Sequence, residues 1–190
     1  MLRIVVTGPE SSGKSTLSLA LAKHFNVPPV EEFAREYLEK KLLVVDNSQP
    51  LYDPSDLYKM LLGQIRNEKK VLDKVVLENK KNLLICDTDA LTYKIWSEEV
   101  FKTIEPKTKQ LIDSQLIFSN KNETIYLLCS PQNIAWEPDP LRENPNDRDR
   151  LFNIYIENLE FYQKTYFILR GSQQERFGKA TNIITLRNKT

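Results

Sequence analysis

Short apolar runs alternate along this chain with segments whose apolar residues recur at helical spacing. Four runs are continuous and are typical of strands buried on both faces. A fifth run is interrupted by Pro28 and Pro29, so it predicts only a short strand. The predicted strands span residues 2–7, 25–30, 83–86, 124–129 and 166–169.

The segments between these runs predict helices. Asp53-Pro54-Ser55-Asp56 has the residue types that open a helix, and an apolar stripe then continues to about Asn79. Strands that alternate with helices predict a parallel sheet covered on both faces. We therefore expect an α/β protein with three layers, α/β/α, around a five-stranded parallel sheet. A length of 190 residues favours one domain over residues 1–190.

The segment from Gly8 to Leu17 follows the first strand and leads into the first helix. Its pattern, G-x-x-x-x-G-K-S, is that of a P-loop, whose backbone N–H groups and helix N-terminus bind phosphates. A glycine-rich turn without a ligand is the alternative. We expect ATP and Mg²⁺ here, with Lys14 on the β- and γ-phosphates and Ser15 on the metal ion. The predicted nucleotide contacts are Gly8, Glu10, Ser11, Ser12, Gly13, Lys14, Ser15 and Thr16.

The charge, the apolar runs and the cysteines of the chain indicate in which cellular compartment the protein is expected. The net charge of +1 gives no global attraction to nucleic acid or to an anionic membrane. No apolar run reaches the length of a membrane span, and the first strand begins too early for a signal peptide. Cys86 and Cys129 lie inside apolar runs, which predicts buried free thiols. A cytoplasmic protein with no membrane insertion is expected, and its oligomeric state is not predicted.

Acidic residues follow two of the predicted strands, where ligands gather in parallel sheets. Asp87 follows the third strand and is predicted to hold Mg²⁺ opposite Ser15; its alternative role is a helix cap. Asp89 either caps the same helix or contacts the phosphate acceptor. Glu32 follows the second strand and is a candidate to orient an acceptor hydroxyl or remove its proton. Arg35 either neutralises phosphate charge or pairs with a neighbouring acid.

The segment 131–150 is rich in proline and in charged residues, which predicts a lid-like loop that enters a helix. Phosphoryl transfer depends on cations placed around the transferred group. Arg142 is the first candidate for this catalytic role, and Arg148 is predicted to contact the nucleotide. Arg150 is a further candidate. Ion pairs with Asp147 and Asp149 are the alternative for these arginines.

Several classes of P-loop protein do not fit. The chain lacks the Asp-x-x-Gly switch element of GTPases, and it is short for a ring-forming ATPase with an added helical domain. A kinase of a small molecule remains. An ATP-binding regulator that turns over slowly is the alternative, although an arginine-bearing lid favours an enzyme.

Four segments together resemble the nicotinamide riboside kinase domain of bacterial NadR-like proteins. They are the P-loop, residues 32–38, the Asp87–Trp96 region, and residues 136–148, and they occur in the same order. The resemblance implies a fold of the nucleoside-kinase type. It also implies transfer of the γ-phosphoryl of ATP to the ribose 5′-hydroxyl of nicotinamide riboside, which yields nicotinamide mononucleotide. Kinases of other nucleosides or of vitamin alcohols stay open.

The resemblance also suggests how the substrate ring is bound. Nicotinamide riboside carries a pyridinium cation, for which Tyr93, Trp96 and Trp136 are candidate aromatic partners. Core packing is the alternative, and it is the stronger one for Tyr93. Full-length relatives also carry an adenylyltransferase motif, His-x-Gly-His. This chain has one histidine, so we expect the kinase domain alone.

Overall fold

Five strands form one parallel sheet in this computed structural model, which describes residues 1–44, 51–77, 82–117, 124–142 and 145–188. The strands are β1 (Leu2–Thr7), β2 (Pro29–Val30), β3 (Leu83–Asp87), β4 (Thr124–Cys129) and β5 (Thr165–Leu169). Their order in the sheet is β2-β3-β1-β4-β5. Every neighbouring pair is parallel, and Ile4 in the central strand aligns with Ile85 on one side and Ile125 on the other. The predicted five-stranded parallel sheet is confirmed.

Helices connect the strands within the described ranges. They are α1 (Lys14–Phe25), α2 (Phe33–Leu42), α3 (Pro54–Leu77), α4 (Ala90–Phe101), α5 (Pro106–Leu116), α6 (Arg148–Phe161) and α7 (Gln173–Arg187). Asp53 opens α3 as predicted, because its carboxylate accepts hydrogen bonds from the backbone N–H groups of Ser55 and Asp56. The predicted end of this helix near Asn79 lies outside the described residues.

The second strand is shorter than its apolar run suggested. Phe25 belongs to the last turn of α1, and Asn26 ends that helix in the left-handed conformation with φ 54°. Pro29 and Val30 alone then pair with β3. The two prolines limit the strand, since a proline has no N–H to donate to the ladder.

Alternate side chains of the sheet pack into two separate layers of core. Ile4 and Val6 of β1 face α1 and α7, where they contact a cluster that includes Leu21 and Ile184. Val5 faces the opposite layer, which is built on α2 to α6. The three-layer α/β/α prediction is confirmed. Cys86 and Cys129 are buried and free, as predicted.

Among the described residues, no helix has the length and apolar character needed to cross a membrane.

The parallel arrangement places four strand ends at one edge of the sheet. β1 leads into the P-loop, β2 into Glu31 and Glu32, β3 ends on Asp87, and β4 leads into Ser130. This edge is where a ligand site is expected in a parallel sheet.

Gly63 allows α3 to approach the start of α2 closely. A Cβ atom at this position would lie 2.1 Å from Cε1 of Phe33. The aromatic ring therefore fills the space that a side chain would need, so a larger residue forces the ring or the backbone to shift.

We expect Gly63→Ala to lower the free energy of unfolding by about 1–3 kcal/mol, because overpacking a filled site forces side chains and backbone to shift. Denaturant unfolding measures this directly. Gly178→Ala is the matched control, since Gly178 lies in helix α7 and a Cβ added there would meet no atom within 4 Å. That variant should be neutral or stabilised by up to about 1 kcal/mol. Equal effects of the two substitutions would contradict the packing argument.

Candidate active site

The P-loop has the backbone conformation that its two glycines permit. Gly8 has φ 138°, and a Cβ there would lie 2.6 Å from the Cys129 carbonyl oxygen. Gly13 has φ 81° and occupies the position before the first turn of α1. The loop thus passes close to β4 and delivers Lys14 as the first residue of the helix. The N–H groups of that first turn lack partners within the helix, so they suit an anion.

A cavity of about 460 Å³ opens above this loop. Its volume falls in the range of sites that bind small molecules. Its lining residues come from the P-loop, α2, α4, the lid-like segment, α6 and the start of α7. Of the residues predicted for the site, the lining includes Gly8, Glu10, Ser11, Ser12, Gly13, Lys14, Ser15, Thr16, Glu32, Arg35, Trp96 and Arg142.

Lys14 and Ser15 lie where phosphates and a metal ion would meet. The Lys14 ammonium donates to the Pro9 carbonyl at 2.8 Å, which holds the side chain over the loop. The Ser15 hydroxyl lies beside the Asp87 carboxylate: burial raises the pKa of this acid, and the interaction with Ser15 offsets part of that rise. One side-chain oxygen of Asp87, Oδ1, is buried without a hydrogen-bond partner.

These groups fit a bound Mg²⁺. The ion binds oxygen ligands and takes few of them from a protein when phosphates are present. An unpaired buried carboxylate oxygen beside a serine hydroxyl is the donor set required. Among the described residues, no cluster of three or more His, Cys, Asp or Glu side chains forms a separate metal site.

The two acids at this edge have raised pKa values. Burial is the main cause of the raised pKa of Asp87. Burial also raises the pKa of Glu32 to about 7, with a further contribution from the charge of Asp87, while Lys14 acts in the opposite direction. The site therefore contains a carboxyl group that changes its charge near neutral pH. Such a group is suited to taking up a proton during a reaction.

The lid-like segment is fastened to the P-loop through Ser11. The Ser11 hydroxyl accepts a hydrogen bond from the Glu137 N–H at 2.9 Å. Arg148 donates to the Ser11 carbonyl at 3.1 Å and to the Ile134 carbonyl at 3.0 Å. Arg142 donates to the Glu137 carbonyl and lines the cavity. Arg148 therefore joins lid and loop, and Arg142 is the lid arginine that faces the cavity.

The aromatic candidates have different environments. Trp96 lines the cavity, and its indole N–H donates to the Tyr52 hydroxyl at 3.0 Å. Tyr93 is 1% exposed and stacks on Trp96 at 6.3 Å between ring centres. The Arg148 guanidinium lies 5.7 Å from the centre of the Trp136 ring. Trp96 is thus the aromatic candidate available to a ligand, while Tyr93 packs in the core and Trp136 packs on an arginine.

Asp89 has the role of a helix cap. It is buried, and its carboxylate accepts from the Leu91 N–H at 3.0 Å, from the Tyr126 hydroxyl at 2.7 Å and from Arg3 at 3.2 Å. The structure favours this role over contact with an acceptor.

Arg35 and Arg150 each pair with two acids at 3.6 Å or less, the alternative role left open for them by the sequence, whereas Arg142 has one longer ion pair, of 3.7 Å, with the exposed Glu137 carboxylate. Arg35 contacts Asp139 at 2.9 Å and Glu39 at 3.6 Å, although it also lines the cavity. Arg150 contacts Asp147 and Glu99, each at 2.5 Å. Both guanidinium groups have acidic partners within the protein, which weakens their assignment to phosphate.

Arg176 is a site residue that the sequence patterns did not reveal. It is 3% exposed, lines the cavity and donates hydrogen bonds of 2.8 Å to the carbonyls of Ser12, Ser130 and Gly171. It thereby fixes the P-loop backbone relative to the segments that follow β4 and β5. A single arginine inside an amphipathic helix gives no sequence signal for this role.

The family of the chain is shown by its match to a known domain. Residues 3–176 match the family AAA_28, described as AAA domain. The chain belongs to this family. Its description does not name a reaction.

Solved structures with the same fold include two of NadR protein. The complex with NR aligns with a TM-score of 0.75 at 20% identity, covering 100% of this chain and 52% of the other. The complex with NAD and AMP-PNP aligns with a TM-score of 0.65 at 20% identity, covering 90% and 44%. The chain thus spans about half the length of the NadR chains. The predicted resemblance to NadR-like proteins is confirmed at the level of fold.

A third structure is deoxyadenosine kinase from M. mycoides with bound dATP. It aligns with a TM-score of 0.58 at 16% identity, and the alignment covers 97% of this chain and 100% of the other. The chain described here therefore shares the fold of this nucleoside kinase.

The raised pKa of Glu32 predicts a specific dependence of stability on pH. Its folded pKa of about 7 exceeds the ordinary value of 4.5, so the native state binds more protons than the unfolded state between these values. Stability therefore falls as pH rises through this window. We expect Glu32→Gln to remove this contribution, so that the variant gains about 1–3 kcal/mol relative to the native protein between pH 4 and pH 8.

Denaturant unfolding at a series of pH values measures this difference. Glu31→Gln is the control, because Glu31 is exposed in the same segment. A difference between Glu32→Gln and the native protein that stays constant with pH would contradict the assignment.

Proposed function

We propose that this protein is an ATP-dependent kinase that phosphorylates the ribose 5′-hydroxyl of nicotinamide riboside. One observation carries the proposal: a single cavity holds a P-loop lysine, a carboxyl group with a pKa near 7 and an accessible tryptophan. The lysine, Lys14, binds the donor phosphates. The carboxyl group, that of Glu32, binds the acceptor hydroxyl, and the tryptophan, Trp96, contacts a flat cationic ring. The shared fold with NadR protein in complex with NR supports the choice of acceptor.

The P-loop holds the donor. Its backbone N–H groups bind phosphate oxygens, and the Lys14 ammonium leaves the Pro9 carbonyl to reach the β- and γ-phosphates. Ser15 and the unpaired oxygen of Asp87 would hold Mg²⁺. When bound, that ion neutralises charge on the β- and γ-phosphate oxygens.

Glu32 receives the proton of the acceptor. In the transfer step the 5′-oxygen forms a bond to the γ-phosphorus, and the bond from this phosphorus to the bridging oxygen of ADP breaks. The proton of the hydroxyl passes to the ionised Glu32 carboxylate. A pKa near 7 keeps about half of this group ionised at neutral pH and makes it a competent acceptor of the proton.

Arg142 acts on the charge that develops during transfer. It reaches the cavity from the lid; its Nη1 group contacts the Glu137 carbonyl and lies 3.7 Å from the Glu137 carboxylate, and its Nε and Nη2 groups can donate to phosphate oxygens. A cation placed in this way stabilises the transition state more than the bound substrates.

The function is tested by measuring ADP release with a panel of nucleosides and vitamin alcohols as acceptors. We expect release to depend on nicotinamide riboside, with nicotinamide mononucleotide as product. Lys14→Ala should reduce transfer by about 100-fold or more without unfolding the protein, and Lys23→Ala, at an exposed position of the same helix, is the control. Turnover of another nucleoside alone would overturn the acceptor. ADP release that is equal without acceptor would favour an ATP-binding regulator.

Arg142→Ala should lower kcat by about 100-fold while the KM of the acceptor changes by less than about fivefold, because the lost contact forms mainly in the transition state. Steady-state kinetics under saturating ATP give both values. Arg150→Ala is the control, since Arg150 is paired with Asp147 and Glu99. An unaltered kcat in Arg142→Ala would exclude the role and direct attention to Arg148.

Recognition of the pyridinium ring is tested with a reduced, uncharged analogue of nicotinamide riboside. A cation–π contact of about 1–2 kcal/mol predicts that the native protein binds the charged form roughly 5- to 30-fold more tightly. Trp96→Leu should remove most of this preference, because leucine retains apolar volume but has no π face. Trp136→Leu should retain it, since the Trp136 ring packs on Arg148. Equal affinities of both forms for the native protein would refute the contact.

A further inference from the structure

Gln64 connects the two acidic segments of the site although it lies outside the cavity. It belongs to α3 and is 1% exposed. Its side-chain oxygen accepts a hydrogen bond of 2.8 Å from the Phe33 N–H. Its side-chain nitrogen donates one of 3.4 Å to the Asp87 carbonyl. One buried amide therefore holds the backbone next to Glu32 and the backbone of Asp87 itself.

Both backbone groups lie at the end of a secondary-structure element, Phe33 at the start of α2 and Asp87 at the end of β3. Phe33 is the first residue of α2, where an N–H has no carbonyl within the helix, and the Glu32 side chain does not cap this end. On the other side, the ladder between β2 and β3 ends with the pair Val30 and Cys86, one residue before Asp87. Gln64 thus forms hydrogen bonds with a backbone group at the start of the helix and with another at the end of the strand.

The reach of Gln64 depends on the close approach of α3 to α2. Gly63 provides this approach, because the Phe33 ring lies where a Cβ of residue 63 would be. The amide is rigidly placed, since its carbon chain is enclosed and both of its polar ends are bonded.

We propose that Gln64 is a positioning residue that sets the separation between Glu32 and Asp87, and so the alignment of acceptor base and metal-binding carboxylate. The geometry of the two hydrogen bonds carries the inference. Its kinetic consequence rests on the proposed function, whereas the positioning of Glu32 does not, so the two are tested separately.

Positioning is measured without substrate through the ionisation of Glu32. The carboxyl carbon of Glu32 is followed by ¹³C NMR as a function of pH. In Gln64→Met, which keeps a similar length but has no amide, we expect the Glu32 segment to relax toward water. The midpoint should then fall by at least about one pH unit from the native value. If Gln64→Met does not fold, Gln64→Asn serves the same purpose, because its shorter side chain cannot reach both partners.

Ile65→Ala is the matched control for a loss of packing on α3. Ile65 is partly buried against the same core, but its side chain has no group that could form a hydrogen bond to either acidic segment. This variant should lose stability and retain the native Glu32 midpoint. A midpoint that stays unchanged in the Gln64 variants, or that moves equally in Ile65→Ala, would overturn the proposal.

Kinetics then show whether positioning matters for transfer. We expect the Gln64 variants to lose about 10- to 100-fold in kcat with a change below about threefold in the Kd of ATP, because the P-loop is untouched. A shifted Glu32 midpoint with native kcat would overturn the catalytic consequence. A shifted midpoint in a protein that transfers no phosphate to any acceptor would leave Gln64 as a positioning residue and refute the proposed function.

Discussion

Two carboxyl groups, those of Asp87 and Glu32, are held near each other at the carboxyl edge of the sheet. Burial opposes ionisation of both, and the charge of Asp87 further opposes ionisation of Glu32. The positive charge of the Lys14 ammonium favours the ionised form of both carboxyl groups and so offsets part of this effect. The remainder is relieved when a divalent cation binds or when one carboxyl takes up a proton. A site of this kind is less stable when it is empty, and its stability rises when its ligands bind. This is a common feature of active sites.

Much of the surrounding structure maintains this arrangement. The parallel sheet brings Asp87, Glu32 and the P-loop to one edge. Arg176 fixes the P-loop carbonyl of Ser12 relative to the carbonyls of Ser130 and Gly171. Gln64 bonds to the backbone next to Glu32 and to the backbone of Asp87. These buried polar side chains bond to main-chain atoms, so they set the positions of segments as well as of side chains. We regard them as the supports that allow one cavity to hold donor and acceptor together.

Local patterns were sufficient to predict the sheet and the P-loop. Continuous apolar runs identify buried strands, and a strand followed by the P-loop pattern has a well-defined geometry. The roles of Arg176 and Gln64 were not predictable, because they depend on contacts between residues far apart in the chain. The same limit explains why the sequence left two roles open for Asp89 and for Trp136. Their partners, Arg3 and Arg148, are brought to them only by the folded chain.

The proposed phosphoryl transfer depends most directly on Asp87 as the acid that holds Mg²⁺ with the nucleotide. Isothermal titration of ATP with and without Mg²⁺, for the native protein and for Asp87→Asn, tests this. We expect Mg²⁺ to tighten ATP binding to the native protein, and this gain to fall by about tenfold or more in Asp87→Asn, since the substitution removes a ligand charge and preserves the shape. An equal effect of Mg²⁺ on both proteins would contradict the account and leave Asp87 a structural residue of the sheet edge.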